Sequence, residues 1–321
     1  MIRKLIPLLI LIGLLAYGYW SWLGPVSTSH DTRIFIVPKN NKSFDVIDAL
    51  NTGKFIKNEQ TFRFFKKMFL LTNVKGGGYT LRGSMNAWEV LKKINGDPDL
   101  VWISYSSCLR KEQIGEILAE NLGWSEEELT KWNTVYTNTK PEYAEGVYYP
   151  DTYLIPKNES GDKVAERLIG RFNEQFGPYA EKYVAANIRW VTGLKIASLI
   201  AREAAGARDM HLISGIIWNR LDKGMPLQID ATMQYTLGKN REGRWWGSID
   251  LKEKTNDSPY NTYLYKGLPP TPICSANINY IEAALNPTET DCLFYLHDDK
   301  QQIHCAETYE EHLENIETYL N

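Results

Sequence analysis

Glu203 sits where a surface helix normally buries hydrocarbon, and its position is the first hint of chemistry. In the run from Lys195 to Ala205, Ile196, Leu199, Ile200 and Glu203 recur at i, i+3, i+4 and i+7, so one helical stripe ends in a carboxylate. Burial disfavours the charged form and can lift a Glu from about 4.3 toward roughly 6 to 7, where it can donate a proton at neutral pH. The plain structural alternative is a buried Glu held by Arg202 or Arg220. A second group follows between Ile216 and Tyr235, where Asn219, Gln228, Asp230 and Thr232 are suited to recognising amides and hydroxyls. Asp230 reads equally as the N-cap of a helix beginning at Ala231, and the two roles are compatible. A third group lies in the loop 256–273, which is long for a connection and carries Tyr260, Tyr263 and Tyr265. Three tyrosines argue against disorder, and their rings suit the faces of sugars.

Other chemistries find less support. His297, Asp298, Asp299 and His304 are close in sequence, but there is no H-E-x-x-H and the spacing matches no common zinc site. Ser198 lies inside a helix without a G-x-S-x-G elbow, and Gly76 to Gly78 lacks the Gly-Lys-Ser/Thr of a phosphate loop. No metal and no cofactor is implied. The net charge of -3 and the lack of a Lys/Arg stripe argue against nucleic acid as a partner.

These side chains need a scaffold, and the first part of it is a membrane span. Leu5 to Leu23 carries no charged side chain and at about 1.5 Å per residue nearly crosses a hydrocarbon core of roughly 30 Å. Arg3 and Lys4 precede it, which keeps the N-terminus in the cytoplasm and places the rest outside, with Tyr17, Tyr19, Trp20 and Trp22 at the exit. A cleaved signal peptide is the rival, but Ala16 to Trp22 offers no A-x-A site. Cys108, Cys274, Cys292 and Cys305 form no C-x-x-C pair; outside the membrane they can form disulfides, and the pairing stays open.

After a polar linker, Ile34 to Val37 reads as a strand, and Ser43 as the N-cap of a helix over Phe44 to Leu50. The pattern then predicts a helix over Thr61 to Leu71, a strand at Tyr79 to Leu81, a helix from an N-cap Ser84 to Ile94, a strand at Leu100 to Tyr105 and a helix over Arg110 to Asn121. This is a small α+β module, a spacer or a carbohydrate binder. Beyond Pro141 helices are expected at Asp162 to Phe176, Tyr179 to Val184, Leu194 to Ala205 and Asp209 to Asp222, the last stopped by Gly224 and Pro226.

The ordered set Ile196 to Glu203, Asn219-Arg220-Leu221, Gly224 to Gln228, Asp230, Thr232, Tyr235, Ser258 to Tyr263, Gly267 to Pro270 and Pro272-Ile273 resembles the endolytic murein transglycosylase family, the YceG-like proteins. Upstream, Glu145-Gly146 and Pro150 to Tyr153 resemble the family's approach to its catalytic domain. Two positions depart from the pattern. The family's first acidic position on the helix is Ala201 here, and its late Gly-His-x-Phe is Ile303-His304-Cys305-Ala306, which leaves His304 without an assigned role.

The resemblance implies Glu203 as the catalytic acid and Asn219, Arg220, Gln228, Asp230, Thr232, Tyr235, Tyr260, Asn261 and Thr262 as substrate-binding residues. It implies an α+β fold with an anchor and cytoplasmic tip over 1–26, a LysM-like module over 27–140 and a mixed catalytic domain over 141–321. The implied activity is lytic cleavage of the MurNAc-GlcNAc bond of peptidoglycan glycan strands, at the plasma membrane, with penicillin-binding synthases as protein partners. The rival from another class is a catalytically silent wall-binding scaffold of a synthesis complex.

Overall fold

The computed structural model describes residues 2–68 and 74–320. It is a mixed α+β chain of two compact units, one spanning residues 1–103, 121–123 and 152–159, the other 104–120, 124–151 and 160–321.

The first unit begins with α1 (Ile2–Trp22). Among the described residues no single helix is long and apolar enough to cross a membrane; the shorter apolar stretch within α1 is Leu9–Trp22. Four strands follow, β1 (Thr32–Val37), β2 (Gly77–Arg82), β3 (Leu100–Ser104) and β4 (Thr152–Pro156), paired in the order β1-β2-β3-β4. β1 and β2 are antiparallel with Phe35 opposite Tyr79. Phe35 and Val37 turn inward onto Leu50, Phe62, Tyr79 and Leu91, which come from the sheet and from α2 (Val46–Thr52), α3 (Glu59–Met68) and α4 (Ala87–Ile94).

Two helix starts differ from expectation for the same reason. Asp45, not Ser43, caps α2, its carboxylate accepting from the Ile47 and Asp48 N–H groups. Asn86, not Ser84, caps α4, in a reciprocal box with Glu89. In each stretch a second residue of equal capping strength sits two positions later, and it sets the start. Residues 69–71 of the helix expected to end at Leu71 lie outside the described residues.

In the second unit α5 (Lys111–Leu122) and α6 (Glu126–Lys131) precede α7 (Gly161–Ala185), α8 (Trp190–Glu203), α9 (Met210–Asp222), α10 (Asp230–Leu237), α11 (Ile278–Leu285), the hairpin β5 (Phe294–His297) and β6 (Ile303–Ala306), and α12 (Tyr309–Tyr319). The two helices expected between Asp162 and Val184 are one, running through Pro178. A mid-helix proline forfeits a backbone bond. Here Phe172, Phe176, Tyr183 and Trp190 pack ring on ring across that point, at centroid separations of 5.4 to 6.4 Å, and tertiary packing holds the helix together.

α8 is the centre of the unit. Leu194, Ile196, Ala197, Leu199 and Ile200 are buried, and α7, α9, α10 and α11 pack against the helix. Gly193 permits the closest approach: a Cβ there would meet the Tyr183 ring at 2.2 Å, while the Tyr183 hydroxyl donates to the Ile281 carbonyl at 2.6 Å. α9 ends as the sequence predicts. Gly224 adopts φ +62, its N–H returns to the Leu221 carbonyl, and the Met225 N–H to that of Arg220, which closes a Schellman turn. Two disulfides resolve the open pairing, Cys108–Cys274 and Cys292–Cys305.

Candidate active site

Glu203 is the last residue of α8, and its Oε2 accepts a 2.6 Å hydrogen bond from the Tyr295 hydroxyl. Burial pushes its carboxyl above the usual carboxylate range and the nearby Asp230 charge adds to this, whereas the Tyr295 bond, His297 and Arg202 oppose it. The negative end of the α8 dipole acts in the same sense as burial. Among the described residues no hydrogen bond is made to Oε1, so the acid presents one oxygen to a ligand.

The end of α8 is held in place by Asp209. Its carboxylate, itself buried, accepts from the N–H groups of Ala205 and Gly206 at 2.9 and 3.1 Å and meets His297 Nε2 at 2.7 Å. Tyr295 and His297 alternate on β5, so the pleat sends both toward the end of α8. The hairpin is held from its other side by α9. Asn219 donates to the carbonyls of Thr290 and Cys292 at 2.6 and 3.2 Å, and Arg220 to those of Leu293 and Leu227, both at 2.6 Å. Asn219 and Arg220 therefore aim the strand that carries Tyr295. Neither Arg202 nor Arg220 forms an ion pair with Glu203 among the described residues; a tyrosine holds the acid instead.

The other expected residues separate by burial. Thr232 and Thr262 are buried, their hydroxyls 3.0 Å apart, and Thr262 accepts from the Ile229 N–H while its carbonyl accepts from the Gln228 N–H. This clamp fixes Gln228, which sits at φ +54 with its side chain exposed. Asp230 is not the N-cap expected of it. It is the first residue of α10, after Ile229, and its carboxylate is taken by Lys254 at 3.0 Å and by the Tyr263 hydroxyl.

Asn261 is fully buried, donates to the carbonyls of Lys254 and Asn256 at 3.0 and 2.7 Å, and accepts from the Tyr263 N–H at 2.9 Å. Its amide shapes the loop from within, so Asn261, like the buried Thr232 and Thr262, is spent on the protein's own backbone rather than turned outward as expected. Asn261→Ala is expected to lower the unfolding free energy by about 1 to 3 kcal/mol, because it leaves part-buried loop carbonyls unpaired. Denaturant unfolding checks this, and an unchanged midpoint would return Asn261 to the surface of the site.

A second buried carboxylate lies against the Tyr235 hydroxyl. Glu145 is 1% exposed and accepts from the N–H groups of Lys111 and Gly146 at 3.1 and 3.0 Å, with the Tyr235 hydroxyl at 3.4 Å. Tyr260 packs on Tyr235 at 5.0 Å and bonds Thr271 at 2.8 Å, and the Arg110 guanidinium lies 4.2 Å from the Tyr235 ring centre. Burial, then the Glu112 charge, pushes Glu145 up from 4.5 to about 7. A carboxyl raised in the folded state binds more protons folded than unfolded, so its favourable contribution is complete below pH 4.5 and is lost as pH rises through about 7. The loss is about 3 kcal/mol at about 1.36 kcal/mol per unit. Wild-type stability is expected to fall by that amount relative to Glu145→Gln between pH 4.5 and 8; parallel pH–stability curves for the two proteins would show that Glu145 does not titrate there.

Sequence reasoning missed Tyr295, the His297–Asp209 pair and the tyrosine-bound Glu145. A period-2 reading of Phe294-Tyr-Leu-His297 would have placed Tyr295 and His297 on one face. His304 lies on β6 opposite Leu296, bonds Asp298 at 3.1 Å and stacks on Tyr319 at 3.5 Å.

Residues 35–318 match the YceG-like family. The chain belongs to that family. It is 28% identical to an endolytic murein transglycosylase of Bacillus subtilis (strain 168), over 98% of this chain and 92% of that protein. A second endolytic murein transglycosylase, from Streptococcus pneumoniae serotype 2 (strain D39), is 25% identical over 98% of this chain and 65% of its own longer length. A crystal structure of a YceG-like protein from Listeria monocytogenes superposes with a TM-score of 0.63 at 26% identity, covering 89% of this chain and 99% of that one. The resemblance carried by the motif from Ile196 to Glu203 and by the tyrosine-rich loop is thus borne out across the chain.

Proposed function

We propose that the protein is a membrane-anchored endolytic peptidoglycan lytic transglycosylase that cleaves the MurNAc-GlcNAc β-1,4 bond and leaves a 1,6-anhydroMurNAc end. The observation that carries the reading is Glu203: a carboxyl that burial holds above the usual carboxylate range, at the end of a buried helix, with one oxygen held by Tyr295 and the other open. Most glycosidases use two carboxylates. Here the neighbouring Asp230 is already engaged by Lys254 and Tyr263, which suits a reaction that relies on one acid.

In the reaction Glu203 donates its proton to the glycosidic oxygen as the bond to C1 of MurNAc breaks. The sugar's own acetamide oxygen stabilises C1, and the Glu203 carboxylate, now a base, removes the C6 hydroxyl proton as O6 closes on C1. No water is consumed and Glu203 ends protonated. The carboxylate formed midway gains stabilisation from the Tyr295 hydroxyl and the Arg202 and His297 charges. Gln228, exposed on its clamped turn, and Tyr260 are the side chains proposed to meet acetamide and hydroxyl groups, positioned by Thr232, Thr262 and Asn261, while Asn219 and Arg220 hold the hairpin and Tyr235 and Asp230 border the site.

On this reading 1–26 are the tip and anchor, 27–140 the LysM-like module and 141–321 the catalytic domain, to which α5 contributes through Lys111 and its contact with Glu145. The two disulfides support an extracytoplasmic catalytic domain. Peptidoglycan synthases are the protein partners implied, in cell wall assembly and strand termination. The test is a digest of purified sacculi by the full chain in detergent: anhydro-ended muropeptides are expected, and their absence would favour the silent scaffold. Recovery of the full chain in the aqueous fraction without detergent would remove the anchor.

A further inference from the structure

Arg202 is the one charged group beside Glu203 that the reaction leaves without a binding task. Its Nε is closed off from solvent and has no partner, and among the described residues its guanidinium makes no hydrogen bond and no ion pair. The guanidinium lies 4.1 Å from the ring centre of Trp246. Cation–π contact uses the charge and the flat face of the group and consumes none of its five N–H donors.

Trp246 is built to be there. It sits at φ +60, a left-handed conformation uncommon for a bulky side chain, and such strain persists only where the surroundings over-determine it. The surroundings are two indole staples onto α5: Trp246 Nε1 donates to Gln113 at 2.8 Å and Trp245 Nε1 to Glu116 at 3.0 Å, with Lys239 on the other Glu116 oxygen at 2.6 Å. A fixed aromatic shelf thus carries a guanidinium whose charge is felt at Glu203.

We propose that Arg202, on the face of Trp246, recognises a carboxylate on the muramyl branch of the glycan and so selects peptidoglycan over neutral N-acetylated polymers. The inference rests on the transglycosylase reading above. An N-acetylated glycan backbone offers hydroxyls and acetamides, which carry no charge. The carboxylates of peptidoglycan hang from the lactyl branch at C3 of the muramyl ring, the same ring whose C1 faces Glu203. A guanidinium next to the acid meets that branch, and its fork of donors matches a carboxylate.

The test uses the full chain in detergent carrying Glu203→Gln, so that probes are bound and not cut. Three probes are a muramyl tetrasaccharide with intact stem peptides, the same molecule with its carboxylates amidated, and an amidase-stripped tetrasaccharide whose carboxylates are lactyl only. Calorimetry is expected to give the amidated probe a Kd about tenfold weaker than the intact one, about 1.4 kcal/mol. Adding Arg202→Gln should bring that ratio close to one, and Arg202→Lys should restore part of it. The intact probe's lactyl carboxyl is amide-bonded to the stem, so its carboxylates are the peptide's: if the stripped probe binds like the intact one, Arg202 accepts a carboxylate at either place on the branch, and if it binds like the amidated one, Arg202 reads a carboxylate of the stem peptide. A ratio near one with Arg202 present, or a ratio that survives Arg202→Gln, overturns the proposal. Loss of anhydro products from the unmutated enzyme would overturn the function while leaving this ratio to judge Arg202.

Discussion

Glu203→Gln is expected to abolish anhydro product, lowering turnover on sacculi by about three orders of magnitude, within the roughly 10² to 10⁴ range for positioned proton transfer. The amide keeps the shape and can still accept the bond from the Tyr295 hydroxyl, so the site stays assembled. What is lost is the proton that the leaving oxygen needs and the base that the C6 hydroxyl needs. Stability should not fall with it. A carboxyl raised by burial costs the folded state more as pH rises through its folded value, and the neutral amide removes that cost, so the variant's unfolding midpoint at neutral pH should equal or exceed that of the wild type. In the wild type, activity should decline above the raised value as the acid loses its proton. Anhydro product at wild-type rates from the Gln variant would remove Glu203 from the chemistry, and a collapsed midpoint would make it a structural group.

How far the site could be read from sequence depends on how local its causes are. Glu203 was legible because its evidence lies within eight residues of one helix, in the aliphatic stripe that it interrupts. The stop at Gly224 was legible for the same reason, since a left-handed residue after a helix needs only its neighbours to declare it. Tyr295 was not, because its partner is 92 positions away and its strand is four residues long. Asn261 carried the right residue type for a ligand contact, but the carbonyls it bonds are those of its own loop, and only the folded loop reveals them. Pro178 predicted a break that ring packing overrode. Trp246 gave no signal, since its left-handed backbone is imposed by contacts with α5.

The two disulfides should have unequal effects when removed, and the inequality tests how the site is held. Cys108–Cys274 closes a separation of 166 residues, and chain-entropy reasoning assigns a loop of that size about 5 kcal/mol as an upper figure. Both cysteines are buried, the Cys108 N–H bonds the Ser275 carbonyl at 2.8 Å, and the Ser275 N–H bonds that of Leu109 at 2.9 Å. The adjoining Ile273 N–H donates to the Ser198 hydroxyl on α8 at 3.0 Å, so this bridge braces the helix that ends in Glu203. Cys292–Cys305 closes only 13 residues, worth about 3 kcal/mol or less on the same reasoning, and Cys305 pairs directly with Tyr295 across the hairpin. The double replacement of Cys108 and Cys274 by Ala is therefore expected to lower stability most, by roughly 4 kcal/mol. Replacing Cys292 and Cys305 should lower stability less but impair turnover more per folded molecule, because the strand that presents Tyr295 loses its staple. Denaturant unfolding alongside anhydro-product assays on the folded fraction separates the two effects. If the short bridge proves the more stabilising, or if turnover follows the folded fraction alike in both variants, the hairpin does not depend on its disulfide to hold the acid.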